Sequence, residues 1–352
     1  MNDDILYIWL SLIHGVGPTI GSKLLNTFKN INLLYAANYD ELITIEGIGE
    51  KLANTIINSK NLLIAEKIYN YCCTEKIHIL KKYIKEYPIQ LNKYNKAPIV
   101  LYGKGILKDS SNSVAIVGSR KCNEYGKNVT IQLATELAQN DIPIISGLAK
   151  GIDGYAHTSA IKNNSYTIAV VGTGIDICYP REHINLMNEI CKHGLVLSEF
   201  QPGSKNIKQN FIKRNEVISM LSEKIVVVQA SKDSGSLYTA RTGIKYNKEV
   251  FAVPNSVYDI FSVGSNKLLS EGAKPYINIR SILKNKKIDN NEKLCMNSEQ
   301  NRIYDIVKDY PCTIDMIKKR VKMDTEKLEE VLLEMEIKGR IKQVAGVFVK
   351  DD

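Results

Sequence analysis

The sequence is poor in the residues that build metal sites and disulfide frameworks. Its 352 residues include seven cysteines and five histidines. The cysteines are odd in number and scattered, and neither residue type shows the spacing of a metal site, such as C-x-x-C. We therefore expect reduced cysteines and neither a bound metal nor another cofactor.

Long apolar runs are also missing. No segment approaches the roughly 18 consecutive apolar residues of a membrane-spanning helix, and no basic start followed by an apolar run marks a secretion signal. These absences predict a cytoplasmic protein without membrane contact. The hydrophobic content of 44% is nevertheless ample for packed cores.

Acidic residues are outnumbered by basic ones, which gives the chain a formal net charge of +9. A basic chain suits a polyanionic partner, although many ordinary proteins are equally basic. The length is also sufficient for more than one domain. Composition alone thus permits a nucleic-acid-binding protein of several domains without establishing one.

One unit is repeated through residues 114–278: an apolar run, a break rich in glycine or serine, and a helical pattern. The runs with their breaks are Val114–Arg120, Pro143–Asp153, Thr167–Asp176, Leu195–Phe200, Lys224–Ser236 and Glu249–Ser256. Short β-branched runs that alternate with helices are typical of parallel strands buried on both faces. The pattern predicts an α/β domain with a Rossmann-like, mostly parallel sheet, whose working surface lies at the carboxyl ends of the strands.

The breaks indicate a ligand that carries phosphate. Small residues there leave backbone N–H groups open at the starts of helices, where the helix dipole favours an anion. The small residues are Gly118, Ser119, Ser146, Gly147, Gly172, Gly174, Gly235 and Ser236. The fingerprint G-x-G-x-x-G does not follow the first strand, which argues against a dinucleotide such as NAD.

The ordered motifs of this region resemble those of the DNA-processing protein A family (DprA, also called Smf). They are VAIVGSRKCNEYG, SGLAKGIDGYAH, TIAVVGTGIDICYPREH, LSEFQPG, FIKRNEVISML, SGSLYTA, VFAVPN and GSNKLLSEGA. The resemblance implies a domain that binds single-stranded DNA without sequence preference, forms a homodimer, and helps to load RecA recombinase onto incoming strands during natural transformation. We therefore expect a binding protein rather than an enzyme.

Arg120 is a candidate phosphate ligand because it directly follows the first strand. Its guanidinium can hold a phosphate through two donors. The alternative is a structural ion pair with Glu124. The small residues around Arg120 favour the phosphate.

Basic side chains surround one aromatic ring in the segment that leads into the helix after Glu199. They are Lys205, Lys208, Lys213 and Arg214, and the ring is Phe211. A cation track beside an aromatic residue grips single strands without sequence preference. Alternatively, Phe211 is the first apolar anchor of that helix. The family resemblance implies DNA contact by Arg120, Lys208 and Phe211.

Together these interpretations predict one DNA-binding set along the carboxyl edge of the sheet. Its members are Gly118, Ser119, Arg120, Ser146, Gly147, Lys208, Phe211, Arg214, Asn215, Gly235 and Ser236.

Three positions depart from the family pattern. Ile212 replaces a proline, Glu216 replaces an arginine, and Asn255 replaces a glycine. Glu216 lowers DNA affinity if it faces the strand and changes little if it faces the sheet or a dimer partner. Asparagine tolerates positive φ, so we expect the turn at Asn255 to survive.

Two enzymatic interpretations compete with this one. Asp153 and His157 are four residues apart on a predicted helix, with Ser146 nearby, but we favour an aspartate that caps the N–H groups of its own helix start and a histidine packed behind it. Nucleoside-monophosphate phosphoribohydrolases share a related fold and need P-G-G-x-G-T-x-x-E. The sequence has DSGSLYTA at residues 233–240, without the catalytic glutamate.

Two smaller domains flank the sheet. Residues 1–80 are predicted to be helical, with h-G-h-G turns at Gly15 and Gly17 and at Gly47 and Gly49, as in helix-hairpin-helix or SAM-like domains. Such turns either meet DNA phosphates or simply connect packed helices. We expect a linker at residues 81–97, which ends in a short strand from Pro98, and the Rossmann-like domain at residues 98–280.

A second lysine-rich linker is predicted at residues 281–297, followed by a winged-helix domain at residues 298–352. The pattern predicts three helices, with Ser298 as an N-cap and Gly339 at the end of the third, and then a hairpin at Ala345–Gly346. The third helix is acidic, so phosphate repels it. We expect this domain to contact protein or to regulate the main site.

Overall fold

The computed structural model describes residues 1–283, 296–308, 310–321, 323–337, 340–344 and 346–350. These form two compact units, residues 1–282 and residues 283–352. No helix in the described ranges is long and apolar enough to cross a membrane.

The first unit begins with six helices. They are α1 (Asp3–Leu12), α2 (Pro18–Phe28), α3 (Ile31–Ala36), α4 (Tyr39–Ile43), α5 (Glu50–Asn58) and α6 (Leu63–Thr74). Gly15 and Gly47 take positive φ values of 86° and 89° in the turns before α2 and α5, which glycine adopts without strain. Gly17 and Gly49 are the N-caps of those helices. The predicted tandem of helix-hairpin-helix motifs is confirmed.

A nine-stranded sheet follows. Its strands are β1 (His78–Lys81), β2 (Val100–Gly105), β3 (Val114–Val117), β4 (Ile144–Ser146), β5 (Thr167–Val171), β6 (Leu195–Ser198), β7 (Lys224–Val227), β8 (Glu249–Ala252) and β9 (Lys274–Pro275). Their order is β1-β2-β6-β5-β4-β3-β7-β8-β9. The strands from β6 to β9 pair in parallel, whereas β1 and β2 are antiparallel additions at one edge. The mostly parallel Rossmann-like core is confirmed.

Helices pack against the parallel strands, because the central strands are apolar throughout. The helices are α7 (Ile89–Asn92), α8 (Glu124–Gln139), α9 (Ile152–Lys162), α10 (Ile184–His193), α11 (Lys208–Leu221), α12 (Gly235–Lys245) and α13 (Val263–Ser270). All residues of β3, β4, β5 and β6 are buried. The chain reverses its winding at β3, which lies between β4 and β7, so the carboxyl ends of β3 and β7 form the switch point of the sheet.

The region before the parallel sheet differs from the sequence prediction. The segment His78–Lys81, predicted to end the helical domain and begin the linker, instead forms β1 and pairs with β2. The predicted linker that follows is packed rather than solvated: Lys82 is fully buried. Its ammonium donates to the Ser22 hydroxyl at 2.6 Å and to the Tyr94 carbonyl at 2.8 Å. Burial lowers the pKa of Lys82 to about 8, and these acceptors offset part of the cost.

The second unit contains α14 (Ser298–Val307), α15 (Ile314–Val321), α16 (Thr325–Ile337), β10 (Ile341–Val344) and β11 (Val347–Lys350). The strands form an antiparallel hairpin, with Gly346 at a φ of 81°. The winged-helix pattern is confirmed, although the N-cap of α14 is Asn297, not Ser298, in a capping box with Gln300. The predicted helix end at Gly339 and most of the predicted linker, residues 284–295, lie outside the described residues.

Candidate nucleic-acid interface

A cavity of about 520 Å³ lies at the switch point, where β3 and β7 end. We call it the switch-point cavity. Its walls include Arg120, Asn215, Gly235 and Phe261. In sheets of this kind ligands bind at the switch point, because the loops that follow neighbouring strands diverge there.

One wall is the start of α12, which suits an anion. Ser234 is the N-cap, and its hydroxyl accepts from the Ser236 N–H at 3.4 Å. Gly235 is exposed in the first turn. N–H groups in the first turn of a helix of this length attract a negative charge. The predicted role of Gly235 as a phosphate contact is compatible with this position and stays a prediction.

Arg120 lies on the opposite wall, on the turn after β3. Its side chain is exposed, and its guanidinium carbon lies 5.9 Å from the centre of the Phe211 ring. The proposed alternative partner, Glu124, instead pairs with Lys127 at 3.0 Å. Gly151 supports this turn: a Cβ on Gly151 would lie 2.4 Å from the Ser119 carbonyl oxygen. The close approach fixes the backbone that carries Arg120.

A smaller cavity, which we call the aromatic slot, adjoins the switch-point cavity. Its volume is about 60 Å³, and its lining includes Tyr179, Phe211 and Arg120. The rings of Tyr179 and Phe211 are 5.5 Å apart and inclined by 52°. Gly172 makes room for Phe211, since a Cβ there would lie 2.9 Å from the ring. Phe211 is therefore both packed on the sheet and half exposed. Its role as an apolar anchor is confirmed, and its contact with DNA stays a prediction.

Tyr179 is absent from the predicted set. It is 38% exposed and shares the slot with Phe211. The two are far apart in sequence, and no local pattern joins them. Lys208, the first residue of α11, is exposed, as the predicted contact requires.

Arg214 does not lie on the surface, contrary to the prediction that it contacts DNA directly. It is 5% exposed and donates to the carbonyl oxygens of Gly147 and Val170, the latter at 2.9 Å. Burial lowers the pKa of Arg214, and the nearby carboxylate of Asp153 opposes that shift. The guanidinium links α11 to the ends of β4 and β5. It can do so because Arg214 lies on the face of α11 that is turned toward the sheet.

Ser146, Gly147 and Ser119 also differ from the prediction that they offer open donors. Ser146 is fully buried, and its hydroxyl donates to the Ile116 carbonyl at 2.6 Å. The Gly147 N–H donates to Asp153 at 3.1 Å, and the Ser119 N–H donates to Gln229 at 2.7 Å. These groups hold the loops in place, whereas Gly118 and Ser119 still line the cavity.

Asn215 and Glu216 have distinct surroundings. Asn215 accepts from Arg214 at 3.0 Å and donates to the Gly235 carbonyl at 3.2 Å, so it connects the buried arginine to α12. Glu216 accepts from the Tyr246 hydroxyl at 2.8 Å. It also lies 3.8 Å from Lys96. Its carboxylate is thus paired within the protein. In that arrangement we expect the glutamate, although it departs from the family pattern, to change DNA affinity little.

Asn255 stabilises its turn by side-chain hydrogen bonds and not through the positive φ that we expected. Within the described chain the non-glycine residues with positive φ do not include Asn255. Its side chain instead donates to Asp259 and to Ser262, both at 2.7 Å. The amide thus anchors the following loop by hydrogen bonds.

The Asp153 and His157 pair is structural. Asp153 lies in the first turn of α9 but accepts from the N–H groups of Gly147 and Ala149 in the preceding loop, not from those of its own helix as predicted. His157 is fully buried, and burial lowers its pKa to about 3. Its Nδ1 donates to Thr167, whose hydroxyl is already used as a donor to the Ile144 carbonyl. A neutral, enclosed imidazole of this kind cannot exchange protons with a ligand.

Three family models match successive parts of the chain. DNA recombination-mediator protein A matches residues 78–287, the DprA winged helix domain matches residues 296–347, and the SAM-like helix-hairpin-helix tandem matches residues 10–59. The chain belongs to the DNA recombination-mediator protein A family. This confirms the resemblance to the DprA/Smf family and the three-part fold.

The similar proteins agree with this assignment. The DNA processing protein DprA of Bacillus subtilis is 42% identical over 54% of this chain and 65% of its own length. Protein Smf of Synechocystis is 33% identical over 78% of this chain and 71% of its own length. The structure of DprA from Streptococcus pneumoniae superposes with a TM-score of 0.71 at 31% identity, over 80% of this chain and 98% of that one. For DNA processing protein A from Helicobacter pylori, described for its single-stranded DNA binding mode, the TM-score is 0.54 at 33% identity, over 58% and 93%.

Proposed function

We propose that this chain binds single-stranded DNA without sequence preference across the carboxyl edge of its sheet and processes incoming strands in DNA uptake. The observation that carries the proposal is the union of two adjoining cavities. The switch-point cavity offers a helix start and Arg120, and the aromatic slot offers Phe211 and Tyr179. A phosphate site beside an aromatic slot fits a strand whose backbone and bases are both accessible.

The proposed roles are divided among surface residues. Arg120 and Lys208 neutralise phosphates, the start of α12 accepts another, and Phe211 with Tyr179 stacks a base. Arg214, Asn215 and Asp153 position these groups without touching the strand. None of the proposed roles needs a reacting side chain, so the chain acts as a binding protein rather than as an enzyme.

The further proposals follow from the family. The chain acts as a homodimer in the cytoplasm and helps to load a RecA-type recombinase onto the bound strand. The similarity to DNA processing protein DprA and to Protein Smf supports the DNA-processing role on which these proposals rest. The acidic third helix of the winged-helix unit is proposed to contact protein, since exposed Glu326, Glu329 and Glu330 repel a phosphate backbone.

The salt dependence of oligothymidine binding tests the site. Arg120→Ala and Lys208→Ala should each lower affinity and reduce the slope of log affinity against log salt by about 0.7, because each removes one phosphate contact with a single strand. Lys245→Ala, at the far end of α12, is the matched control and should leave the slope unchanged. Wild-type binding with unaltered slopes in both site variants would move the interface elsewhere.

A further inference from the structure

The loop between β8 and α13 carries an unusual exposed apolar surface. This segment, residues 256–263, we call the Tyr258 loop. Val257 is 79% exposed, Tyr258 is 91% exposed and Ile260 is 71% exposed. Adjacent large apolar side chains on a surface loop mark a contact site more often than scattered ones do.

The Tyr258 loop is held rigidly from behind. Asp259 Oδ2 accepts from Asn255 at 2.7 Å, Ser262 at 2.8 Å, Gln229 at 3.0 Å and Asn123 at 3.3 Å. Its Oδ1 accepts from the N–H of the residue two positions later at 3.0 Å. Burial by itself raises the pKa of Asp259, but the hydrogen bonds together lower it by more, so its pKa lies below the ordinary value. The loop therefore presents its apolar side chains in a fixed arrangement, which reduces the ordering cost of binding.

The loop also faces the switch-point cavity. Ile260 and Phe261 line that cavity together with Arg120 and Gly235. An apolar wall beside an anion site matches a nucleotide, which joins a charged phosphate to a flat apolar base. A phosphate held between Arg120 and the start of α12 leaves its neighbouring base within reach of this wall.

We propose that the Tyr258 loop is a second base-contact surface for single-stranded DNA. This inference rests on the proposed function and extends it. Phe211 and Tyr179 contact one base, and Phe261 in the wall of the switch-point cavity contacts the next. Tyr258, three residues before Phe261 on the same loop, contacts a base just outside that cavity. The occupant is the same strand, because the apolar wall and the anion site share one cavity.

Oligothymidine binding by the full chain tests the inference. Tyr258→Ala/Phe261→Ala should weaken affinity about tenfold or more, since stacking on an aromatic ring contributes substantially for each base. The salt slope should stay at the wild-type value because no phosphate contact is lost. Ile89→Ala, at a position 72% exposed on α7, is the control and should bind as wild type. Tyr258→Phe should also bind as wild type, since the ring remains.

A strand with abasic sites separates base contact from other causes. Wild type and Tyr258→Ala/Phe261→Ala should bind an abasic strand equally, because neither has a base to stack. Equal binding of oligothymidine by the two proteins would overturn the inference. The inference would also be overturned if the double variant changed its oligomeric state in light scattering but kept its oligothymidine affinity per subunit. That result would show that the loop contacts a second copy of the chain. Failure of the wild type itself to bind oligothymidine would instead reject the proposed function.

Discussion

Replacement of the buried arginine tests how the interface is built. Arg214→Leu removes the donor from two backbone carbonyls, those of Gly147 and Val170, and leaves Asp153 buried without its nearby positive charge. A buried acceptor without a donor costs about 1 to 3 kcal/mol. Loss of one partner from a buried charge pair typically costs about 3 to 5 kcal/mol. These costs arise from the loss of the same guanidinium and are not additive, so we expect the free energy of unfolding to fall by about 3 to 5 kcal/mol.

Thermal unfolding followed by circular dichroism measures this effect. For a unit of this size the loss corresponds to a decrease in Tm on the order of 10 °C. Lys213→Leu is the matched control, because Lys213 is the preceding residue and is exposed; its Tm should stay within about 2 °C of wild type. Asp153→Asn/Arg214→Leu should lose less than the sum of the single variants, since neither charge is then left alone.

The opposite pattern would refute this reasoning. If Arg214→Leu melts with the wild type but loses single-strand affinity and salt slope as Arg120→Ala does, Arg214 is a DNA ligand. The buried position assigned to it would then be wrong for the bound state.

Three further predictions concern other parts of the first unit. Burial raises the pKa of Glu199 to about 7, so the folded state holds this proton more tightly than the unfolded state, and stability falls as pH rises from about 4.5 to 7. Glu199→Gln should flatten that part of a curve of Tm against pH. A Tm difference between the two proteins that stays constant over this pH range would contradict the shift. Gly151→Ala should lower both Tm and DNA affinity, because the added Cβ would press on Ser119. Gly203→Ala is the control, since Gly203 also has positive φ but open space around it, and it should lower Tm by less. Equal decreases in Tm for the two variants would show that the clash at Gly151 is relieved. Glu216→Gln should bind oligothymidine within about twofold of wild type, because the carboxylate is paired away from the cavities, and a large gain in affinity in a titration would place it beside the strand.

Periodicity predicted the parallel core because each strand is short, β-branched and followed by a break. The pattern fails at His78–Lys81, where a short edge strand of mixed polarity carries no such signature. Its pairing with β2 depends on the tertiary position of α6 and the following segment, which no local rule specifies.

The candidate site was predictable in its location but not in the direction of each side chain. Strand ends placed Arg120, Lys208 and Phe211 at one edge, yet the sequence does not reveal that Arg214 points inward from the same helix. The inward direction follows from the contacts of α11 with the carbonyls of Gly147 and Val170. Tyr179 was missed for a related reason, since its partner Phe211 lies on α11, in a distant part of the sequence.

The most direct test of the central claim is a titration of the intact chain with labelled oligothymidine in the presence of excess unlabelled duplex. The strand should be about 20 nucleotides long, which exceeds the roughly 4 to 16 that one single-strand-binding fold covers. We predict tight binding that weakens steeply with salt and that the duplex does not displace. Displacement by duplex as effective as by unlabelled single strand, or absence of binding, would contradict the account.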